Sequence, residues 1–394
     1  MGMGNVKTLT YEALEAVKTA DVLIGAERLL QSLPDGCSLD RHIAISPEDI
    51  KIIINNKMNT NSICVLMSGD TGFYSGTKKL LEKLEGHDVT VLPGISSVQF
   101  FAARLCRSWQ DWKLVSAHGK DINPAAIVRE NAETFFLTGG VLTVSAICRQ
   151  LADAGFGGLT VTVGERLGSD REAVRSGTAA ECSILESDKL AVLLVDNPSP
   201  RLCISCGLPD EAFTRGSVPM TKSEVRSVIL SKLRLMSSDV FFDVGAGTGS
   251  VSVEAALLLR NGHVWAFERE AEGCDLIREN ARKHHAANLT CIEGEAPASF
   301  EGCPVPDAAF IGGSGGRLEE VLETLLKLNP KIRLVVGAVT LETLAEVSKG
   351  FARLPIISKE IVQLSVSHAR PAGGYHLMTA QNPVFVFSGE GGYE

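Results

Sequence analysis

The stretch Phe241-Phe242-Asp243-Val244-Gly245-Ala246-Gly247-Thr248-Gly249-Ser250 constrains this chain more than any other part of it. An apolar run of strand length enters three alternating glycines, and a helical pattern follows at once. Glycines at such a turn permit positive φ and let a ligand lie against the backbone. An acid, Glu268, closes the next apolar run, where a carboxylate can hold a ribose diol. Strands alternating with helices specify an α/β fold with a parallel sheet covered on both faces.

Two cofactors compete for this layout. A dinucleotide favours Gly-x-Gly-x-x-Gly, whose third glycine packs the helix closely and leaves its N-terminus for pyrophosphate. Here the third glycine comes one position early, and Asp243 precedes the turn. S-adenosylmethionine has no phosphate and carries a cationic ammonium, so an acid at that place suits it better. An empty structural turn is the third reading. Residues 293–297 end the following strand, where an adenine edge lies in such folds.

Around this motif, Thr221-Lys222-Ser223-Glu224 has the form of a capping box opening a helix that ends near 235. Strands are expected over 240–244 and 263–268, with helices over 251–259 and up to about 284. Gly312 and Gly313 stand where enzymes that methylate amino groups carry an Asn-Pro-Pro-Tyr type tetrad, which argues against a nucleic-acid base methylase. The nearest imitation, Asp196-Asn197-Pro198-Ser199-Pro200, lacks an aromatic to stack on a flipped base and reads as a proline-rich loop.

The first half shows strand-like runs at 63–67, 89–92, 159–163 and 190–195, and helical ones at 11–20 and 77–84. Glycine-bearing loops over 68–75 and 93–97 follow two of those strands, at the end where open α/β sheets bind ligands. A Pro- and Gly-punctuated stretch at 205–220 marks a domain junction.

With 394 residues the chain exceeds one ordinary core and calls for two or three domains. Thirty-eight glycines beside three Trp and four Tyr fit tight strand-to-helix turns better than a β-sandwich. The net charge of −9 argues against a nucleic-acid coat or an anionic-membrane binder. No apolar run approaches the roughly 18 residues of a membrane helix, and no secretory signal opens the sequence. Ten scattered cysteines read as reduced thiols of a cytoplasmic protein. Cys203 and Cys206 have no second Cys-x-x-Cys pair to complete a zinc site, and no metal is expected.

Several segments together carry a resemblance. Met1-Gly2-Met3-Gly4, Leu9–Ala13, Ala20–Gly25 with Arg28, Ser68–Ser75, Pro93–Ser97, Ser116–Gly119 and Glu165–Gly168 resemble the tetrapyrrole methylase family, in its branch acting on carbon 5 of a precorrin. Pro219–Arg226, Asp243–Glu254, Ala266–Glu268, Gly294–Pro297, Phe310–Gly316 and Val339–Thr343 resemble the class I methyltransferases that methylate carbon 15 and decarboxylate. The resemblance implies a bilobed tetrapyrrole-methylase domain over 1–208, with lobes of about 1–95 and 96–208. A Rossmann-like class I methyltransferase domain over 209–394 would follow. That family opens with an apolar strand before its first glycine loop, whereas only Met1 precedes Gly2. Either the start is truncated or misassigned, or this half lacks its first strand.

The resemblance further implies cobalamin biosynthesis, with a polycarboxylate precorrin, metal-free or cobalt-bearing, methylated at C5 and C15 and decarboxylated at its C12 acetate. Two S-adenosylmethionine sites per chain follow. The first would use Gly2, Gly4, Gly69, Asp70, Thr71, Gly72, Ser96 and Ser97. The second would use Thr221, Asp243, Gly245, Ala246, Gly247, Thr248, Gly249, Glu268, Glu295 and Ala296. His118, Glu165 and Arg226 are catalytic candidates, and Arg226, Arg317 and Lys222 could meet substrate carboxylates. His284 and His285 are expected to be merely exposed. A homo-oligomer is implied, as a tetramer held by the second domain, with neither nucleic acid nor membrane as partner. The rival functions are a base methylase with an appended recognition domain and a non-catalytic cofactor-binding regulator.

Overall fold

The computed structural model describes residues 1–57, 62–118, 122–188, 190–200 and 206–392. Gly119 and Cys203 of the motifs above lie outside the described residues. The chain divides into two compact units. One comprises Met1–Asp121, Asn131–Arg149 and Gly158–Pro198, and the other Ile122–Glu130, Gln150–Gly157 and Ser199–Glu394.

Among its described residues the first unit contains two sheets. Strands β1 (Val22–Gly25), β2 (Asp40–Ile43) and β3 (Ile63–Leu66) form a parallel sheet in the order β2-β1-β3. Its middle strand is buried at every residue, as a parallel strand covered on both faces must be. Helices that cover it start at side-chain caps: Thr10 accepts from Ala13 N–H at 3.2 Å, and Ser46 caps the helix that Pro47 begins.

The second sheet joins β4 (Lys113–Ser116), β5 (Glu133–Leu137), β6 (Thr160–Glu165), β7 (Ala173–Thr178) and β8 (Ala191–Asp196) in the order β4-β5-β8-β6-β7. Only β4 and β5 run parallel; the other three pairings are antiparallel. The short loop between β6 and β7 contains no helix, so the chain turns straight back.

The strand expected over 89–92 does not form. β3 pairs with β1 alone, and beside it runs a cavity of about 720 Å³ whose wall includes Met1, all four β3 residues, Leu80, Leu84 and residues 88–93. Residues 89–92 thus face β3 across a trough and, among the described residues, pair with no strand. A strand is defined by its partner, and the β-branched composition there was not enough.

The second unit carries one seven-stranded sheet. Its strands are β9 (Val240–Val244), β10 (His263–Glu268), β11 (Leu289–Glu293), β12 (Ala308–Ile311), β13 (Arg333–Ala338), β14 (Ile356–Leu364) and β17 (Val384–Gly391), ordered β11-β10-β9-β12-β13-β17-β14. The first five are parallel, and β17 is antiparallel between β13 and β14. Apolar clusters cover both faces, one around Phe242, Leu322 and Phe351, the other around Phe241, Ile229 and Val253. The order reverses at β9, so the carboxyl ends of β9 and β12 flank a crevice, the place where open sheets take ligands. A separate hairpin, β15 (Ser367–Ala372) with β16 (Tyr375–Ala380), follows β14.

Two local expectations fail for identifiable reasons. The helix after the supposed capping box is Ser223–Leu233, with Lys222 at its N-cap and no side-chain cap bond. The Thr221 carbonyl is instead taken by Arg226 Nη1 at 2.6 Å. His284 and His285 are not simply exposed: His284 Nε2 meets Ala212 O at 2.9 Å, and His285 bonds Ala154 O at 2.8 Å while stacking on Phe156.

Candidate functional site

In the second unit the turn after β9 is fixed from several sides. Gly245 and Ala246 donate their N–H groups to Phe267 O at 2.9 and 3.1 Å, and Gly247 N–H reaches Glu268 Oε2 at 2.8 Å. The other oxygen of Glu268 accepts from the N–H groups of Arg269 and Glu270 at 2.9 and 3.0 Å. Turn and acid are therefore one preassembled element.

The glycines are required by protein contacts as well as by φ. All three have positive φ; a Cβ on Gly245 would fall 2.5 Å from Gly313 O, and one on Gly247 would fall 2.6 Å from Pro219 O. The turn is thus wedged between the segment before Ser223–Leu233 and the glycine loop after β12. Gly245, Ala246 and Gly247 are half-buried, whereas Thr248 and Gly249 are buried and face the interior. Thr221 lies beside the turn, its carbonyl also within 3.4 Å of Ser250 Oγ. Glu295 and Ala296 follow β11, where Gly294 N–H bonds Glu268 O at 2.9 Å.

Asp243 lies beneath the turn, fully buried, with Oδ2 accepting from Ser252 Oγ and Oδ1 without a partner. Burial pushes its pKa up to about 7; the Ser252 bond pulls the other way, and the Glu268 charge adds to the rise. Thr248 Oγ1 is likewise buried and unpaired. An acid short of a partner under a glycine turn matches a cationic group and not a pyrophosphate. These residues fit S-adenosylmethionine.

In the first unit Gly2 and Gly69 form an antiparallel bridge, with Gly69 N–H on Gly2 O at 2.7 Å. Gly94 is pressed against them, since a Cβ there would lie 2.4 Å from Gly69 O. Asp70 ties the loops together: Oδ1 accepts from Gly72 N–H at 2.8 Å and Oδ2 from Gly94 N–H at 3.2 Å. Thr71 Oγ1 donates to Leu92 O at 3.1 Å. Ser96 is buried and caps the helix Ser97–Leu105 in a reciprocal box with Gln99. Gly4 is turned towards Arg28, whose Nη1 lies 3.2 Å from where a Cβ would stand. The glycine loops over 2–4, 69–72 and 94 therefore meet at one end of the β1–β3 sheet.

The catalytic candidates divide differently. Arg226 is completely buried, its Nε on Glu254 Oε1 at 2.6 Å and its other nitrogens on Thr221 O, Leu208 O and Asp210. With every nitrogen held by these partners, it pins the segment leading into the sheet. Glu165 is held by Arg175 at 2.9 Å and by Asp188 N–H at 2.9 Å. His118 is exposed, with its ring against Gly139. Lys222 shares Asp210 with Arg215, at 3.5 and 3.4 Å.

One contributor escapes the sequence reading. Buried Asn280 donates to Thr248 O at 2.9 Å and Thr214 O at 3.0 Å, bracing the turn from the helix Ala271–Lys283. An asparagine on the apolar face of that helix was the available signal. No group of three His, Cys, Asp or Glu able to hold a metal occurs among the described residues.

Known proteins give the decisive comparison. Over 97% of its length this chain is 31% identical to a Sinorhizobium precorrin-6Y C(5,15)-methyltransferase [decarboxylating], 92% of which is covered. The chain belongs to the precorrin-6Y C(5,15)-methyltransferase family. Residues 1–183 match the tetrapyrrole (corrin/porphyrin) methylases, and residues 211–390 the precorrin methyltransferase domain. A Salmonella typhimurium cobalt-precorrin-6B C(15)-methyltransferase (decarboxylating) is 40% identical over 46% of this chain and 94% of its own. A crystal structure of a Geobacter metallireducens precorrin-6Y C5,15-methyltransferase is 37% identical over 47% of this chain and 97% of its own, with a TM-score of 0.45. The family's two methyltransferase types thus occur here in one chain, the tetrapyrrole methylase first.

Proposed function

We propose that this chain works in cobalamin biosynthesis, methylating precorrin-6B or its cobalt form at C5 and C15 and releasing the C12 acetate carboxyl as CO₂ to give precorrin-8. The similarity along nearly the whole chain to a C(5,15) enzyme carries this reading. The two glycine-loop clusters support it, one in each unit. We place the domain boundary at 208/209, with lobes of the first domain near 1–95 and 96–208.

When bound, S-adenosylmethionine supplies a methyl group on a sulfonium that is already an activated leaving group. Gly245, Ala246 and Gly247 present backbone to the methionine end, above the buried carboxylate of Asp243. Glu268 accepts from a ribose hydroxyl, and Glu295 and Ala296 edge the adenine. In the first unit Gly2, Gly4, Gly69, Asp70, Thr71, Gly72, Ser96 and Ser97 form the second cofactor cradle. The protein's main contribution is to hold acceptor carbon, methyl and sulfur in line.

Loss of CO₂ breaks one carbon–carbon bond. The conjugated imines of the macrocycle take the electron pair, and a proton replaces the carboxyl group. The site then has to strip water from the carboxylate and admit a proton.

We read the assembly as a homo-oligomer, a tetramer joined through the second unit. Apart from half-buried Ala372, every residue of the β15–β16 hairpin is exposed, Tyr375 to 79%, and Leu377 and Met378 present apolar side chains to solvent. A two-stranded hairpin is marginal without packing. The nine described cysteines are free thiols, which suits the reducing cytoplasm. Among the described residues no helix is long and apolar enough to cross a membrane. With a net charge of −9, nucleic acid is not placed among the partners.

Calorimetric titration with S-adenosylhomocysteine tests the cofactor reading. Two equivalents per chain are expected; a chain that binds none would end it.

A further inference from the structure

On the reading of the second unit as a cofactor site for a polycarboxylate substrate, one ion cluster at the same strand ends is left without a role. Arg269 follows β10, Glu295 follows β11, and Arg317 follows the glycine loop after β12. Arg317 Nη2 donates to Glu295 Oε2, while Arg269 Nη1 lies 4.0 Å from Glu295 Oε1. Two guanidinium groups from different loops thus converge on opposite oxygens of one carboxylate.

The cluster is built for exchange. The Arg269, Glu295 and Arg317 side chains are 56%, 57% and 37% exposed. Ion pairs this open to water contribute little to stability, so a competing carboxylate can displace Glu295 at small cost. Guanidinium groups match carboxylates through a planar fork, which suits them to acetate or propionate groups. Arg269 also leans on the crevice, 3.4 Å from where a Cβ on Gly315 would stand, and pairs with Glu270 at 3.1 Å. Two other cations of this unit are committed elsewhere: Arg226 to buried Glu254, and Arg333 to Asp239 at 2.6 Å.

We propose that Arg269 and Arg317 form a clamp for a substrate carboxylate, and that Glu295 occupies this clamp as an internal stand-in until the cofactor binds. Glu295 is also the acid at the adenine edge. A carboxylate that accepts from the adenine amino group gives up part of its hold on the two guanidinium groups. Cofactor occupancy therefore raises substrate affinity, and by linkage substrate raises cofactor affinity by the same factor. Arg269 and Arg317 are specificity residues that grip the substrate's periphery and leave the transferred methyl untouched.

The test uses the full chain with precorrin-6B under anaerobic conditions, and S-adenosylhomocysteine as the non-reacting cofactor. In the unaltered protein, saturating S-adenosylhomocysteine is expected to tighten precorrin-6B binding about fivefold or more. Arg317→Ala should raise the KM for C15 methylation about tenfold, with C5 methylation as the internal reference, and Arg317→Lys should recover only part of that loss. Its melting temperature should stay near that of the unaltered protein, and it should bind S-adenosylhomocysteine at least as tightly, since Glu295 loses a competing partner. Glu295→Gln should bind precorrin-6B more tightly than the unaltered protein when no cofactor is present. An unchanged C15 KM in Arg317→Ala overturns the clamp, and so does weakened S-adenosylhomocysteine binding in that variant. If the unaltered protein binds no S-adenosylhomocysteine in its second unit, the cofactor reading falls and takes the clamp with it.

Discussion

Gly247 donates its backbone N–H to the Glu268 carboxylate at 2.8 Å, joining the glycine turn after β9 to the acid that ends β10. Three backbone N–H groups hold that carboxylate in all, and its two oxygens offer about four acceptor positions. One position is left for a ribose hydroxyl. Glu268→Gln keeps the shape and removes the charge. Because a hydrogen bond to a charged group is worth ~1.5–3 kcal/mol, S-adenosylhomocysteine should bind the second unit about 10- to 100-fold more weakly. Calorimetry on the variant checks this, and an unchanged second-unit affinity would remove Glu268 from the site.

Asp243 gives the second unit a pH dependence with a definite sign. Its pKa of about 7 lies above the ~3.9 of a free aspartate, so between these values the folded protein holds a proton that the unfolded chain has released. Its contribution to stability is full below about pH 4 and is lost as pH rises through 7. A cationic ligand above the turn favours the ionised form, so cofactor affinity should rise as pH increases up to about 7 and level off beyond. Asp243→Asn should flatten both profiles, as followed by thermal melts and titrations across that range. A pH-independent affinity in the unaltered protein would separate Asp243 from the cofactor's ammonium.

Arg226 and Glu254 form a buried pair at 2.6 Å. Removing one partner strands the other charge, so Arg226→Met should destabilise the second unit by roughly 3–5 kcal/mol. The double change Arg226→Met with Glu254→Leu should recover much of that loss. Denaturant unfolding measures both. Were Arg226 catalytic, the single variant would lose turnover at undiminished stability.

The exposed apolar side chains of β16 lead to an expectation about assembly. Leu377→Asp with Met378→Asp should lower the mass measured by analytical ultracentrifugation, because charged groups cannot be packed at an apolar contact. An unchanged mass would place the subunit contact elsewhere.

The parts of the fold that were legible in the sequence are those set by neighbours along the chain. The β9 strand, its glycine turn, the helix Ser250–Leu258 and Glu268 at the end of β10 all follow from local pattern. What depended on distant partners was not legible. Residues 89–92 have strand composition but face a trough beside β3. Thr221 has the spacing of a cap, yet the backbone there is set by Arg226, which draws in its carbonyl. Nothing near Arg226 in sequence shows Glu254 folding back onto it. The β15–β16 hairpin was overlooked although Gly373-Gly374 between two strand-like runs is a known turn signal. In the site, Glu268 and the glycines could be placed from spacing, whereas the convergence of Arg269 and Arg317 on Glu295 required the sheet order that brings three strand ends together.

The most direct test of the account is to incubate the full chain anaerobically with precorrin-6B and methyl-labelled S-adenosylmethionine, and to count products by mass spectrometry. Two labelled methyl groups, at C5 and C15, and one CO₂ lost from the C12 acetate are expected per macrocycle. A macrocycle recovered unmethylated, with its acetate intact, while the protein remains folded and S-adenosylmethionine-bound, would contradict it.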